Sequence, residues 1–554
     1  MIRVFCQNTR TIKTFEEGTS LLEMLSAFDF PRPNPIICAR VNNVPEGLKF
    51  RAYHSMDVEF IDYSNYFGRN VYSRSLCFLM VKATKDLFPG SKLTLRRPLS
   101  KGFYCELDKA DGSAICDGDI EKLRSRMTSL VEKDLPFYRH EARAEEVFEI
   151  FSKLGYDDKI KLLQSTGEPY FTYYTLGDTA DYYYSAVVPS TGYLKVWSIE
   201  RYADGMLLRI PNRHAPTELA PYEHQPKTFE VFKESLDWNK MMKLKTVGDV
   251  NEAIQNGRAK ELIQVSEALQ DKKIVKIAEE IDKRYRGEDH IRLVLITGPS
   301  SSGKTTFCSR LSVQLKACGL NPVFFSTDDY FVNREDTPRL PDGSYDFDNF
   351  ETVAHDDLQR DVLKLLGGER VSIPEYNFVT GKREYNGKML SLTEGSILII
   401  EGIHALNPAL TNLVDEKLKY KIFISTITST SLDDHNCIPT SDNRLLRRIL
   451  RDYNKGAFTP IQTIAQWPNV RKAEVKWIYP YQESADVLFN SAYLVEFAVL
   501  RNLAEQVLAL VPKNCREYSE AHRLLKFLHY FQPVSDKAIP RTSIMREFVG
   551  GSND

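Results

Sequence analysis

The chain lacks any apolar stretch near the ~18 consecutive residues that a membrane-spanning helix requires. Its first residues, Met1-Ile2-Arg3-Val4-Phe5-Cys6, lack the apolar core of a secretion signal. It has no C-x-x-C pair: the nine cysteines are odd in number and scattered from Cys6 to Cys515, a pattern of reduced thiols rather than a disulfide framework. No histidine stands at metal-ligand spacing from a cysteine. An excess of charge of one sign is missing too. A net charge of −2 excludes a general nucleic-acid coat and leaves at most a local basic groove for RNA. Together these absences predict a cytoplasmic protein with no membrane association. At 554 residues the chain exceeds one core's usual size and predicts about three domains.

What is present is dominated by Gly298-Pro299-Ser300-Ser301-Ser302-Gly303-Lys304-Thr305, a G-x-x-x-x-G-K-[ST] phosphate loop. The glycines let backbone N–H groups turn inward around a β-phosphate, Lys304 reaches the β/γ oxygens, and the Thr305 hydroxyl is placed to ligate Mg²⁺. The strand-like run Leu293–Thr297 leads in and a helical segment, 305–318, leads out to Gly319, so phosphate would meet a helix N-terminus. From 291 to about 510, short Val/Ile/Phe runs alternate with helices, which indicates a buried parallel sheet wound α/β. Ligands in such sheets sit at the carboxyl ends of the strands. Two acidic motifs fall there, Ser326-Thr327-Asp328-Asp329-Tyr330 and Leu398-Ile399-Ile400-Glu401-Gly402. Phosphoryl transfer to an alcohol needs positioning, charge neutralisation and a base for the hydroxyl proton. Asp328 is the candidate base, against the alternative that it or Asp329 caps the next segment or holds Mg²⁺ through water, and Glu401 is the candidate for assisting Mg²⁺. Arg444, Arg447, Arg448 and Arg451 recur three or four residues apart and so share one side of a helix. Closing such a helix over a triphosphate would neutralise transferring charge and exclude water.

These motifs, taken in order, resemble the uridine-cytidine kinase branch of the uridine kinase/phosphoribulokinase family: S-x-D-x-[FY] at 326–330, F-D at Phe347-Asp348, I-P-x-Y-[DN]-F at 373–378, E-G-I at 401–403, and R-L-x-R-R-x-x-R-D at 444–452. The resemblance implies an ATP- or GTP-dependent, Mg²⁺-requiring kinase acting on the 5′-hydroxyl of a nucleoside. It places the nucleotide on residues 298–306 (Gly298 to Thr306) and on Arg444, Arg447 and Arg451. It gives Asp328 the base role, with Lys304 and Arg448 also catalytic, Asp348 on the ribose hydroxyls, Tyr376 and Arg448 at the acceptor, and Thr305 and Glu401 at the metal. Two departures touch the acceptor and the lid. The base-contacting histidine five residues after the tyrosine is replaced by Gly381, and the lid arginine is missing from Lys455-Gly456-Ala457. A kinase of another small alcohol is therefore the alternative, as is an RNA-binding regulator driven by nucleotide hydrolysis.

Upstream, residues 1–62 alternate in strand fashion with one helical patch, and their order resembles the β-grasp TGS domain of threonyl-tRNA synthetases. Residues 65–225 open with an amphipathic helix at 71–87 and carry Gly102-Phe103-Tyr104-Cys105 and Val188-Pro189-Ser190-Thr191-Gly192-Tyr193. They resemble the α+β module with which those enzymes hydrolyse mischarged tRNA. The family's H-x-x-x-H and C-x-x-x-H positions are Arg74, Phe78, Tyr183 and Val187, none of which supplies an imidazole or thiol, so editing chemistry is not expected. The aromatic run Tyr170, Phe171, Tyr173, Tyr174, Tyr182, Tyr183, Tyr184 reads as half-buried strand residues; exposed, it would stack bases. The N-terminal half thus reads as a sensor or scaffold with RNA or a nucleotide effector as the open partners. Residues 226–290 read as a helical connector, 291–513 as the kinase domain, and 514–554 as a tail that docks on the kinase, forms an oligomer contact, or is a disordered end.

Overall fold

The computed structural model describes residues 1–551. The N-terminal sheet is mixed and five-stranded, in the order Thr11–Phe15, Ile2–Cys6, Met56–Asp62, Ile36–Val41, Val44–Gly47. Only the pair Ile2–Cys6 and Met56–Asp62 is parallel. The short helix Leu21–Leu25 starts at Ser20, whose side chain accepts from Glu23 N while Glu23 returns the bond, a reciprocal cap.

The next block contains a four-stranded antiparallel sheet in the order Ser198–Tyr202, Gly205–Arg209, Gly102–Asp108, Lys92–Leu99. A three-stranded sheet, Phe137–Arg143, Tyr170–Leu176, Thr179–Asp181, accompanies it. The helix between these sheets runs Tyr66–Leu87 and is buried along most of its length. The amphipathic helix expected from residue 71 begins a turn earlier, capped by Asn65, and is enclosed on nearly all sides. Three helices follow, Pro226–Met242, Val247–Gln255 and Ala259–Arg286.

The C-terminal sheet is all-parallel and five-stranded, ordered Asn321–Ser326, Ser396–Glu401, Leu293–Thr297, Lys419–Ser425, Val487–Asn490. Leu293–Thr297, wholly buried, is the central strand, which is why it reads as an unbroken apolar run. The register pairs Ser326 and Ile296 each with Glu401, so the acidic turn after Ser326, the turn after Glu401 and the phosphate loop leave the same edge. Helix Lys304–Ala317 follows the loop, and helix Thr440–Asn454 carries the arginines. The tail is ordered: helix Tyr518–Leu528 and the turn Arg546–Val549 pack onto the kinase part, with Ile539, Ile544, Met545 and Phe548 buried in its core. Among the described residues no helix is long and apolar enough to cross a membrane.

Candidate functional site

The phosphate loop is built by close approach. A Cβ on Gly298 would lie 2.3 Å from the Ile424 carbonyl oxygen, and Gly303 adopts φ +85°, a left-handed value that favours glycine. Ser301 also sits at positive φ. The hydroxyls of Ser301 and Ser302 are buried without a hydrogen-bond partner, and Lys304 Nζ donates only to Pro299 O at 3.3 Å. Thr297 Oγ1 donates to the carbonyls of Gly402 and Ile403, tying the loop's base to the neighbouring strand end. A Cβ on Gly402 would stand 1.7 Å from Thr327 Oγ1, so the turn after Glu401 tolerates only glycine.

Around this loop lie carboxylates drawn out of water, Glu401 buried and Asp328, Asp329 and Asp348 half-buried. Asp329 caps the turn by accepting from Ser326 N at 3.1 Å, while Ser326 Oγ accepts from Asp328 N at 3.2 Å. The capping role thus falls to Asp329. Burial pushes the Asp328 carboxyl up, with Lys304 opposing. Burial lifts Glu401 to about 7, with Lys304 opposing and Asp328 and Glu547 adding to the rise. Asp348 is lifted to about 6 by burial, with Arg448 as its main opposing charge. Tyr376 is buried with an unpartnered hydroxyl, its ring edge-on to Phe331 and Phe378. A Cβ at Gly381 would meet Arg334 Cβ and Nε at 2.8 Å, so Arg334 takes the space of a side chain there.

The arginines share a face as their spacing predicts, but that face is turned into the molecule. Arg444 and Arg447 are fully buried. Arg444 pairs bidentately with Glu474, Arg447 with Glu496, and their remaining donors reach Ser300 O at 3.2 Å and Ser301 O at 3.5 Å. They brace the loop from beneath, which corrects the expectation that they close over a triphosphate. Arg448 Nη1 donates to Ser300 Oγ at 3.2 Å, and Arg448 and Arg451 both pair with Asp452 and remain partly exposed.

One residue of the site escapes sequence reasoning. His404, three residues after Glu401, is 1% exposed with both ring nitrogens unpartnered and its ring edge-on to Phe350. Burial pushes its imidazole down to about 4, with the backbone of Asp348 and Asn349 opposing. No motif marks it; only the fold places it beside the Asp348 segment.

An all-parallel sheet with a phosphate loop after its central strand and carboxylates on the adjoining strand end defines a P-loop kinase. Residues 293–497 match the Phosphoribulokinase / Uridine kinase family, and this part of the chain is a kinase domain of that family. A solved structure of a possible uridine kinase from Bacillus stearothermophilus is 18% identical, covering 36% of this chain and 89% of that one, with a TM-score of 0.26. The D-glycerate 3-kinase from Cryptococcus neoformans var. grubii serotype A is 12% identical, covering 38% and 89%, with a TM-score of 0.27. At those scores neither likeness bears on activity. The N-terminal region is similar to threonine–tRNA ligases: 27% identity over 189 residues with that of Carboxydothermus hydrogenoformans, and 24% over 194 residues with that of Clostridioides difficile. The chain spans 30% of the length of these ligases.

Where the sequence resemblance sets Arg74, Phe78, Tyr183 and Val187 in place of editing ligands, the structure packs rings. Phe78 lies against Phe137 and Tyr183, Tyr183 donates to Asp181, and Arg74 donates to Ala186 O while lying over Tyr184. The kinase segment 431–438 enters the same place, where His435 Nδ1 meets Asp181 Oδ2 at 2.7 Å and Asn436 donates to Tyr182 O. Of the aromatic run, Phe171, Tyr174, Tyr182 and Tyr183 are buried and Tyr170 is exposed.

Proposed function

We propose that the protein transfers the γ-phosphoryl group of ATP or GTP to the 5′-hydroxyl of a nucleoside. The observation that carries this reading is the convergence of Asp328, Glu401 and Lys304 at one strand edge, with Asp328 left uncapped because Asp329 takes the cap. In this reading the loop amides and Lys304 hold the phosphates, Arg448 neutralises charge at the transferring group, and Asp328 accepts the hydroxyl proton as the bond to phosphorus forms. Asp348 and Tyr376 orient the acceptor. Asp328 and Glu401 share Lys304 as a nearby cation and are hard-oxygen donors of the kind Mg²⁺ takes, although among the described residues no group of three or more acidic, histidine or cysteine side chains is arranged to hold a metal ion. Thr305 and Glu401 are the residues that would hold Mg²⁺, which when bound supplies charge neutralisation at the phosphates. The N-terminal half acts as a scaffold, since its former editing cleft is filled by its own rings and by the kinase segment.

A kinase acting on another small alcohol is supported by one feature: Arg334 stands where the family's base-contacting histidine would be. The test is product mass after incubation with ATP and a panel of nucleosides, glycerate and sugars, with Asp328→Asn alongside. The expected outcome is one phosphorylated acceptor and a loss of turnover of about 10²-fold or more with little change in nucleotide affinity. Phosphorylation of a non-nucleoside alone would establish the second reading, and equal loss of turnover and affinity would remove Asp328 from the base role.

A further inference from the structure

The segment 539–551, which carries no motif, lies against the phosphate loop. Ile544 Cγ2 stands 2.5 Å from where a Cβ of Gly303 would be, so the loop's second glycine is covered by this side chain. Glu547 Oε2 accepts from Thr306 Oγ1 at 3.5 Å and faces Arg451 Nη1 at 3.9 Å. The Phe548 ring is fully buried and lies over the Arg447 guanidinium at 4.7 Å. Asn454, at the end of the arginine helix, donates to Phe548 O at 2.9 Å. Arg546 ties the segment to itself through Ile539 O and Asp536.

The phosphate chain has a fixed direction in such a site. Lys304 and the carboxylates at 328 and 401 mark the γ end, and the loop amides cradle the α and β phosphates. The nucleoside must therefore leave past Gly303, Thr306 and the arginine helix. That is the side the segment covers. The Glu547 carboxylate lies beside the Thr306 hydroxyl and Arg451, past the end of the phosphate cradle on the side where the nucleoside leaves. The Phe548 ring, buried over the Arg447 guanidinium beneath the loop, anchors the segment in the core and holds it over that side.

We propose that residues 544–548 are a specificity element of the donor site, occupying its nucleoside side and competing with the nucleoside part of the donor while leaving the phosphate cradle accessible. This rests on reading 298–305 as a triphosphate loop. A ligand that is all phosphate binds without moving the segment. A nucleoside triphosphate binds only the fraction of molecules in which the segment has swung away, and its apparent affinity falls by that fraction; a segment docked about 90% of the time weakens it about tenfold.

The test is calorimetric titration of the full chain with Mg²⁺-ATP and with Mg²⁺-tripolyphosphate, in wild type, Glu547→Gln and Phe548→Ala. The proposal expects ATP to bind about tenfold more tightly in Phe548→Ala, with tripolyphosphate affinity changed by less than about twofold. Glu547→Gln, partly exposed and isosteric, serves if loss of the Phe548 ring unfolds the chain, and is expected to strengthen ATP binding while tripolyphosphate affinity changes by less than about twofold. Weaker ATP binding in both variants with tripolyphosphate unchanged would overturn the proposal and make the segment a wall of the nucleotide pocket. Unchanged affinity for both ligands would overturn it as well. Absence of binding of either ligand to any form would remove the triphosphate-loop reading itself, and the proposal with it.

Discussion

Asp348, proposed to orient the acceptor, has its carboxyl lifted to about 6 by burial. Its folded-state value therefore lies above its ordinary 3.8, so the folded protein holds the proton more tightly than the unfolded chain. This contribution favours folding below about pH 4 and is lost as pH rises through about 6. Asp348→Asn removes the penalty. The variant is expected to match wild type in stability at pH 4 and exceed it by about 2 kcal/mol at pH 8, reduced somewhat by partial exposure, while losing acceptor turnover. Denaturant titrations at the two pH values check this, and an equal difference at both would remove the titration as its cause. Asp328 and Glu401 were legible in the sequence because each ends an apolar strand run, and strand ends in parallel sheets are where ligands sit. His404 was not legible: a lone histidine in a loop carries no pattern, and its burial depends on Phe350, which is brought there only by the fold.

At the scale of an element, the helix Thr440–Asn454 shows where spacing stops being informative. Periodicity puts Arg444, Arg447, Arg448 and Arg451 on one side, but says nothing of what that side meets. The partners that decide it, Glu474 and Glu496, lie 30 and 49 residues further along the chain. With those carboxylates in place the Arg444 and Arg447 guanidiniums are buried beneath the loop, as neutralised struts between helix and loop carbonyls. Removing one member of such a buried pair leaves the other uncompensated, which costs about 3 to 5 kcal/mol, whereas replacing both by apolar groups is far milder. Arg447→Met is thus expected to destabilise by that amount through the orphaned Glu496, and Arg447→Met/Glu496→Leu to recover most of it. Urea denaturation of the single and double variants reads the coupling, and a double variant no more stable than the single would argue against it. The central strand Leu293–Thr297, by contrast, was legible to the residue, because a strand buried on both faces leaves a continuous apolar run.

At the scale of the whole molecule the two halves are joined through a buried ionic cluster that no local pattern marks. Lys159 and Asp181 come from the ligase-like block, Asp433 and His435 from the kinase segment, and the side chains of Lys159, Asp181 and Asp433 are wholly buried. Burial disfavours the Lys159 charge, but Asp181, Asp433 and Asp158 outweigh it and hold the ammonium well above its usual range. Burial likewise opposes the Asp181 charge, and His435 and Lys159 hold that carboxyl well below its usual range. Burial lifts the Asp433 carboxyl, with Lys159 as its main opposing charge, so the ammonium is what holds a carboxyl from each half, 274 residues apart at Asp433. A surface ion pair between domains would contribute little, but here loss of the lysine leaves like charges facing each other away from water. The ring-filled cleft around Tyr183 and the entry of residues 431–438 make the same joint sterically continuous, so the ligase-like block and the kinase are expected to unfold as one unit. Lys159→Met should convert a single calorimetric transition into two, the ligase-like block melting first, with the kinase transition close to its wild-type temperature. A single transition merely shifted to lower temperature would mean that packing at the joint, and not the ionic cluster, couples the halves.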